Sequence, residues 1–138
     1  MKKVFSLFLS ALFLAACVGS GSNPALAGQT WQLVSYGSIE SPIPAQTIMP
    51  AHMKFDQDGT FSGNMGCNDF SGEYRVLGSQ LEFGEIMYFP MDCVVTEIME
   101  QEVFVLGGLI GRLEYKISGD TLTIWHDSGS PALVFRKK

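Results

Sequence analysis

Histidine occurs twice in this 138-residue chain and cysteine three times, which is thin provision for two kinds of chemistry. A structural zinc site needs about four ligands at short paired spacings, and the chain has neither C-x-x-C nor H-x-x-x-H. A cysteine nucleophile needs a base held against it, and His52 and His126 both sit in strand-like patterns with no Cys–His signature. Positive charge is scarce too. Nine Lys and Arg stand against 14 Asp and Glu, with no basic cluster before the Arg136–Lys138 tail, so nucleic acid and anionic head groups are poor partners. G-x-S-x-G, a phosphate loop and a dinucleotide fingerprint are all absent. The stretch DQDGTFSGNMGC, from Asp56, resembles a calcium loop at its start. Its sixth position is Phe61 instead of Gly and its twelfth Cys67 instead of Glu, so it fails. No metal or other cofactor is expected.

A long apolar run is missing as well. Val4 to Ala16 gives 13 residues interrupted by Ser6 and Ser10, whereas a spanning helix needs about 20. Preceded by Lys2 and Lys3, the run fits a secretory h-region. It ends in LAAC, residues 14–17, which resembles the lipobox of bacterial lipoproteins, cut just before a cysteine that then carries lipid. An ordinary signal peptide ending near a cysteine is the plainer alternative. The lipobox reading divides the chain into a signal peptide (1–16), a flexible Gly/Ser tether from a lipidated Cys17 (17–28) and one domain (29–138). Two or more acyl chains hold a protein stably on a membrane, so a cell-envelope protein anchored through Cys17 is expected. Val18 in place of Asp implies the outer membrane, facing the periplasm, in a Gram-negative cell. Cleavage would leave seven basic against 14 acidic residues, a net charge of −7.

The 110 residues from Gln29 suffice for a core. Short apolar stretches alternate with Gly, Asp, Asn and Ser turns, the pattern of an antiparallel β domain. Residues 30–36 place Trp31, Leu33 and Ser35 on one face. Residues 51–55 lead through the DQDG turn into 60–64. Residues 71–78 and 81–89 form a further hairpin. In 112–118, Leu113, Tyr115 and Ile117 face in, and Arg112, Glu114 and Lys116 face out. Strands at 121–126 and 131–137 close the chain, with SGD (118–120) as a turn. One segment, 96–111, follows a helical period instead. Thr96 is a candidate N-cap, Glu97 and Glu100 suit the positive helix end, and Met99, Val103, Leu106 and Ile110, with Phe104 beside them, form the apolar face expected to pack on the core. Gly107 and Gly108 loosen its end. The expected fold is mostly β (α+β): a small antiparallel barrel-like or sandwich domain packed with one helix.

With Cys17 committed to lipid, Cys67 and Cys93 are an even pair in an oxidising compartment. They stand 26 positions apart, in loops near the same end of the sheet. A disulfide is the expected state, and closing a loop of that length contributes about 3 kcal/mol on the chain-entropy estimate. Free structural thiols, or a catalytic or metal role, are the alternatives.

Trp31, GCNDFSGEY, GSQLEFGEI, the later Cys93, EQEVF, YKISGDTLTI and ALVF together resemble the META domain family of HslJ-like bacterial envelope proteins across 29–138. FPMDC stands where the family commonly has a Thr-Arg-Met-Ala-like run before this cysteine. The resemblance implies strands wrapped around one helix in a secreted or lipid-anchored protein. It also implies a loose link to heat stress, antibiotic tolerance (novobiocin in the HslJ case) and motility. One eukaryotic relative resembles a lipid-binding secretin pilot lipoprotein. The family offers no catalytic residues to carry over. Two functional classes follow. One is a non-enzymatic envelope module that binds a partner protein or an apolar ligand and contributes to stress tolerance. The other is an envelope hydrolase using carboxylates such as Asp69 and Glu73. A buried carboxylate pair in a cleft would favour the enzyme, and exposed acids beside an apolar groove would favour binding.

Residues 85–93, EIMYFPMDC, run apolar almost without alternation, so the segment is either covered on both faces or exposed. On one account the helix from Thr96 folds back over it. On the other, Tyr88, Phe89 and Met91 stay partly exposed as a contact patch for a partner.

Overall fold

The computed structural model describes residues 22–126 and 131–138. The signal peptide, Cys17 and the start of the tether lie outside the described residues.

Among the described residues, nine antiparallel strands and one helix follow in the order β1 (Thr30–Gly37), β2 (Pro42–Pro44), β3 (His52–Phe55), β4 (Thr60–Asn64), β5 (Asp69–Leu77), β6 (Gln80–Phe89), α1 (Thr96–Gly108), β7 (Gly111–Ser118), β8 (Thr121–Trp125) and β9 (Ala132–Lys137). Strands β3 to β9 pair in sequence order, and β9 pairs back onto β1 from Trp31 to Gly37. The result is a closed eight-stranded barrel, with β2 lying along the far half of β1. Both the mostly-β class and the single helix agree with the sequence pattern. Alternate residues point inward and fill the barrel with aromatic and branched side chains. Phe61 meets Phe83 edge-on at 5.2 Å and Phe55 meets Tyr74 at 4.9 Å between ring centroids. Trp31, Leu81, Leu113, Ile124 and Phe135 are fully buried around them.

Four expectations need correction. In β1 the register shifts between Leu33 and Ser35. This bulge turns Tyr36, not Ser35, into the core, as an extra residue in one strand does. β2 was not anticipated: its Pro42-Ile43-Pro44 sequence is exposed, and prolines fit only such an edge position. The tether begins to pack earlier than composition implied. Leu26 and Ala27 are buried, the Leu26 carbonyl accepts the Trp31 indole N–H, and Asn23 Nδ2 donates to the Tyr115 hydroxyl. The turn at 23–28 thus plugs the barrel end that carries the 56–59, 78–79 and 119–120 turns.

The fourth correction concerns α1, which crosses the opposite end. Its buried residues are Ile98, Gln101, Glu102, Val105 and Gly108, and Val95 occupies the cap position with no side-chain cap bond, so Thr96 lies inside the helix. The expected core face is the outer one: Val103 is 75% and Ile110 65% exposed, and Met99 is exposed as well. Phe104 and Leu106 of that set are half-buried against the core, Phe104 lying on Tyr36 at 5.0 Å. Gln101 and Glu102 displaced the predicted stripe because the loop beneath them offers polar backbone groups to satisfy.

Candidate functional site

The turn between β4 and β5 brings Met65, Gly66, Cys67 and Asn68 under α1. Gly66 has φ +125°, and a Cβ there would stand 2.6 Å from Ile98 Cγ2. Only glycine therefore lets the loop approach the helix so closely. Gln101 donates from Nε2 to the Met65 carbonyl at 2.9 Å and accepts from the Gln46 N–H at 2.8 Å. Glu102, 3% exposed, accepts from the backbone N–H groups of Cys67 (2.9 Å) and Asn68 (2.5 Å) and from Asn68 Nδ2 (2.5 Å). A buried carboxylate needs such donors when no cation is at hand. The clamp then passes outward: Asn68 Oδ1 accepts the Met91 N–H at 2.5 Å, and Cys67 is joined to Cys93 by a disulfide with a Cα–Cα distance of 6.0 Å. Both sulfurs are thereby removed from nucleophilic chemistry.

These bonds hold the 90–95 segment away from α1, and a groove of about 880 Å³ lies between them. Its apolar walls are Met91 and Val94 on one side and Met99, Val103 and Leu106 on the other; Tyr88, Asn68 and Glu102 supply its polar floor. The helix does not cover the apolar run. Tyr88 is 45%, Phe89 53% and Met91 64% exposed, so the segment is the exposed one of the two alternatives. In β6, Tyr88 pairs with the buried Phe70 and Met87 with Ser71, which turns Tyr88 toward the groove and Met87 and Phe89 outward. Burial, and secondarily the Glu102 charge, push the Tyr88 phenol above its ordinary pKa.

The two carboxylates named as a hydrolytic pair are not brought together. Asp69 and Glu73 both stand on the outer face of β5, exposed, four residues or roughly 13 Å apart along the strand. Asp69 accepts from Asn64 Nδ2 at 2.8 Å, and neither lines the groove. His52 lies on β3 opposite Asn64. Among the described residues no three His, Cys, Asp or Glu side chains converge as metal ligands, and no helix is long and apolar enough to cross a membrane.

The model of the META domain matches residues 24–138. The chain belongs to the META domain family. The match begins within the 23–28 turn, in keeping with its place in the fold. No curated protein matches the chain. Among solved structures, an NMR structure of a protein from Burkholderia xenovorans is similar at a TM-score of 0.68 and 18% identity, covering 100% of this chain and 98% of that one. A second NMR structure gives 0.64 at 20% identity, with 81% and 91% covered. A DUF4847 family protein from Bacteroides vulgatus gives 0.59 at 14%, with 80% and 93% covered. At such identities these likenesses speak for the META chain's fold alone.

Sequence reasoning pointed to Cys67 and Cys93, which the structure joins, and to Tyr88, Phe89 and Met91, which it leaves exposed, but missed Gln101, Glu102 and Asn68. A polar pair at the centre of an apolar helical run was the available signal: glutamine and glutamate flanked by Met99 and Val103 need a reason to be there.

Proposed function

We propose that this META domain protein is a non-enzymatic binding module of the cell envelope, held to the membrane through a lipid on Cys17, with the groove between α1 and the 88–94 segment as its receptor surface. The observation that carries this reading is the inverted helix. α1 buries Gln101 and Glu102 and leaves Met99 and Val103 in water. Contiguous exposed apolar surface marks interaction sites, and Met and aromatic side chains suit such surfaces because they adapt their shape. The scattered, exposed positions of Asp69 and Glu73 favour binding over hydrolysis.

Such an anchor would also orient the domain. The described chain begins at the barrel end plugged by 23–28, opposite α1, and Cys17 is six positions before Asn23, or at most about 20 Å of extended chain. An anchor there keeps the plugged end near the bilayer and leaves the groove facing away, toward soluble or protruding envelope components. A contribution to heat or antibiotic tolerance would follow from whatever the groove holds.

Crosslinking in intact envelopes, with fractionation, tests this. The Phe89→Ser, Met91→Ser double variant is expected to lose its captured partner while its Tm falls by no more than about 5 °C, since exposed substitutions cost under about 0.5 kcal/mol each. Cys17→Ser is expected to leave the membrane fraction. Unchanged capture, or continued membrane association with the same cleavage, overturns the corresponding half of the proposal.

A further inference from the structure

The barrel wall has a gap beside the groove. β6 runs from Gln80 to Phe89 and is paired with β5 up to Phe89, but β7 pairs with it only from Gln80 to Phe83, because Gly111 opposite Phe83 is where β7 begins. Among the described residues, no strand pairs with the other edge of β6 from Gly84 to Phe89. A stretch of six residues, roughly 20 Å, therefore presents every second N–H and C=O outward from that edge. Unpaired edges are templates for another strand. This one stops at Pro90, and it borders the groove in which Tyr88 faces Met99, Val103 and Leu106 of α1.

Charge selects the occupant. Between Val76 and Gly111, the segment that builds both the edge and the groove, there is no Lys or Arg, while Glu82, Glu85, Asp92, Glu97, Glu100 and Glu102 all fall within it. Arg112, the next cation along the chain, is engaged with Glu82 at 2.9 Å. A second copy of this chain would set one acidic surface against another, which electrostatic complementarity disfavours. An extended segment with basic side chains on one face and apolar ones on the other would meet no such obstacle.

The geometry points to strand addition: the free edge of β6 takes up an extended basic-apolar segment of an envelope protein, whose apolar side chains fill the groove while its Lys or Arg side chains face Glu85, Asp92 and Glu97. Such recognition draws affinity from main-chain hydrogen bonds and specificity from alternate side chains. This inference rests on the binding-module reading and specifies its ligand.

The probe is a short end-capped peptide alternating lysine and valine, added to the purified mature protein and read by calorimetry and by amide hydrogen exchange. Binding is expected, with exchange slowed at residues 84–89, and is expected to weaken with added salt. Replacing the lysines with glutamates should cost at least about tenfold in affinity. N-methylation of alternate peptide nitrogens, in one of its two frames, should cost at least as much, because it removes the donors that face β6. If neither methylated frame loses affinity, if protection falls elsewhere, or if the glutamate peptide binds equally, strand addition is overturned. It is overturned as well if the lysine peptide fails to bind, or if the protein alone dimerises with 84–89 protected. The broader reading fails separately: a native partner whose capture is lost in the Phe89→Ser, Met91→Ser variant preserves the module when the peptide result is negative, and capture that persists in that variant removes the module whatever the peptide does.

Discussion

The lower end of the barrel is closed by a turn that buries Leu26 beneath Trp31, and the upper end by a helix that buries Gln101 and Glu102. Both closures cover the core, but by different chemistry. At the lower end apolar side chains meet apolar side chains, one indole N–H finds a carbonyl, and little apolar surface is left over. At the upper end Ile98 and Val105 are buried as well, but polar and covalent contacts are added: a carboxylate with three donors, an asparagine passing the clamp to Met91, and a disulfide. Met99 and Val103 of α1, with Met91 and Val94 of the 88–94 segment, are left on the outside. An end sealed by hydrophobic packing has spent its apolar surface on folding, whereas an end sealed partly by hydrogen bonds keeps some of it exposed.

The largest effect is expected from the polar closure. Glu102→Leu removes the acceptor of Cys67 N–H, Asn68 N–H and Asn68 Nδ2, all buried, and is expected to cost about 4 kcal/mol, since each buried donor left unpaired costs about 1–3 kcal/mol and some find water. Denaturant unfolding measures this, and the variant should also lose protection at residues 65–68 and 91. A cost below about 1 kcal/mol would mean that the helix is held by Ile98 and Val105 alone. Leu26→Ala at the lower end is expected to cost less, about 2.5 kcal/mol, and to leave partner capture intact at temperatures well below its Tm. If Leu26→Ala abolishes capture while folded, the two ends are coupled and the division of labour is wrong.

The contrast between the ends also marks what the sequence could show. Strand alternation in 112–118, the hairpin turns and the Cys67–Cys93 pair were legible because each depends on neighbours in sequence or on a count of thiols. Leu26 was hidden by the Gly and Ser around it, and β2 by its two prolines. The face of α1 was illegible for a deeper reason. A 3.6-residue period identifies the apolar stripe, but which stripe faces inward depends on what lies beneath, and beneath α1 lie backbone groups of Met65, Cys67 and Asn68, 34 to 36 positions away in sequence. Barrel closure through β1 and β9 and the missing partner of β6 are likewise long-range properties, without a local signature.

The smallest effect would show how enclosed the groove is. Tyr88 stands at its floor, and burial together with the Glu102 charge raises its phenol pKa. A raised folded value means that the folded state favours the neutral phenol, so this contribution to stability is complete below the unfolded value near 10 and is lost as pH rises through the folded one. Ultraviolet difference titration of the wild type against Tyr88→Phe isolates the Tyr88 phenolate, and it is expected to form above the ordinary tyrosine pH. Glu102→Gln should move that titration only part of the way back, because burial is the larger cause and the nearby charge the lesser. A Tyr88 component that already titrates at the ordinary value would place the phenol in open water. The groove would then be a shallow surface, and the upper end would differ from the lower in how it is held together but not in what it can hold.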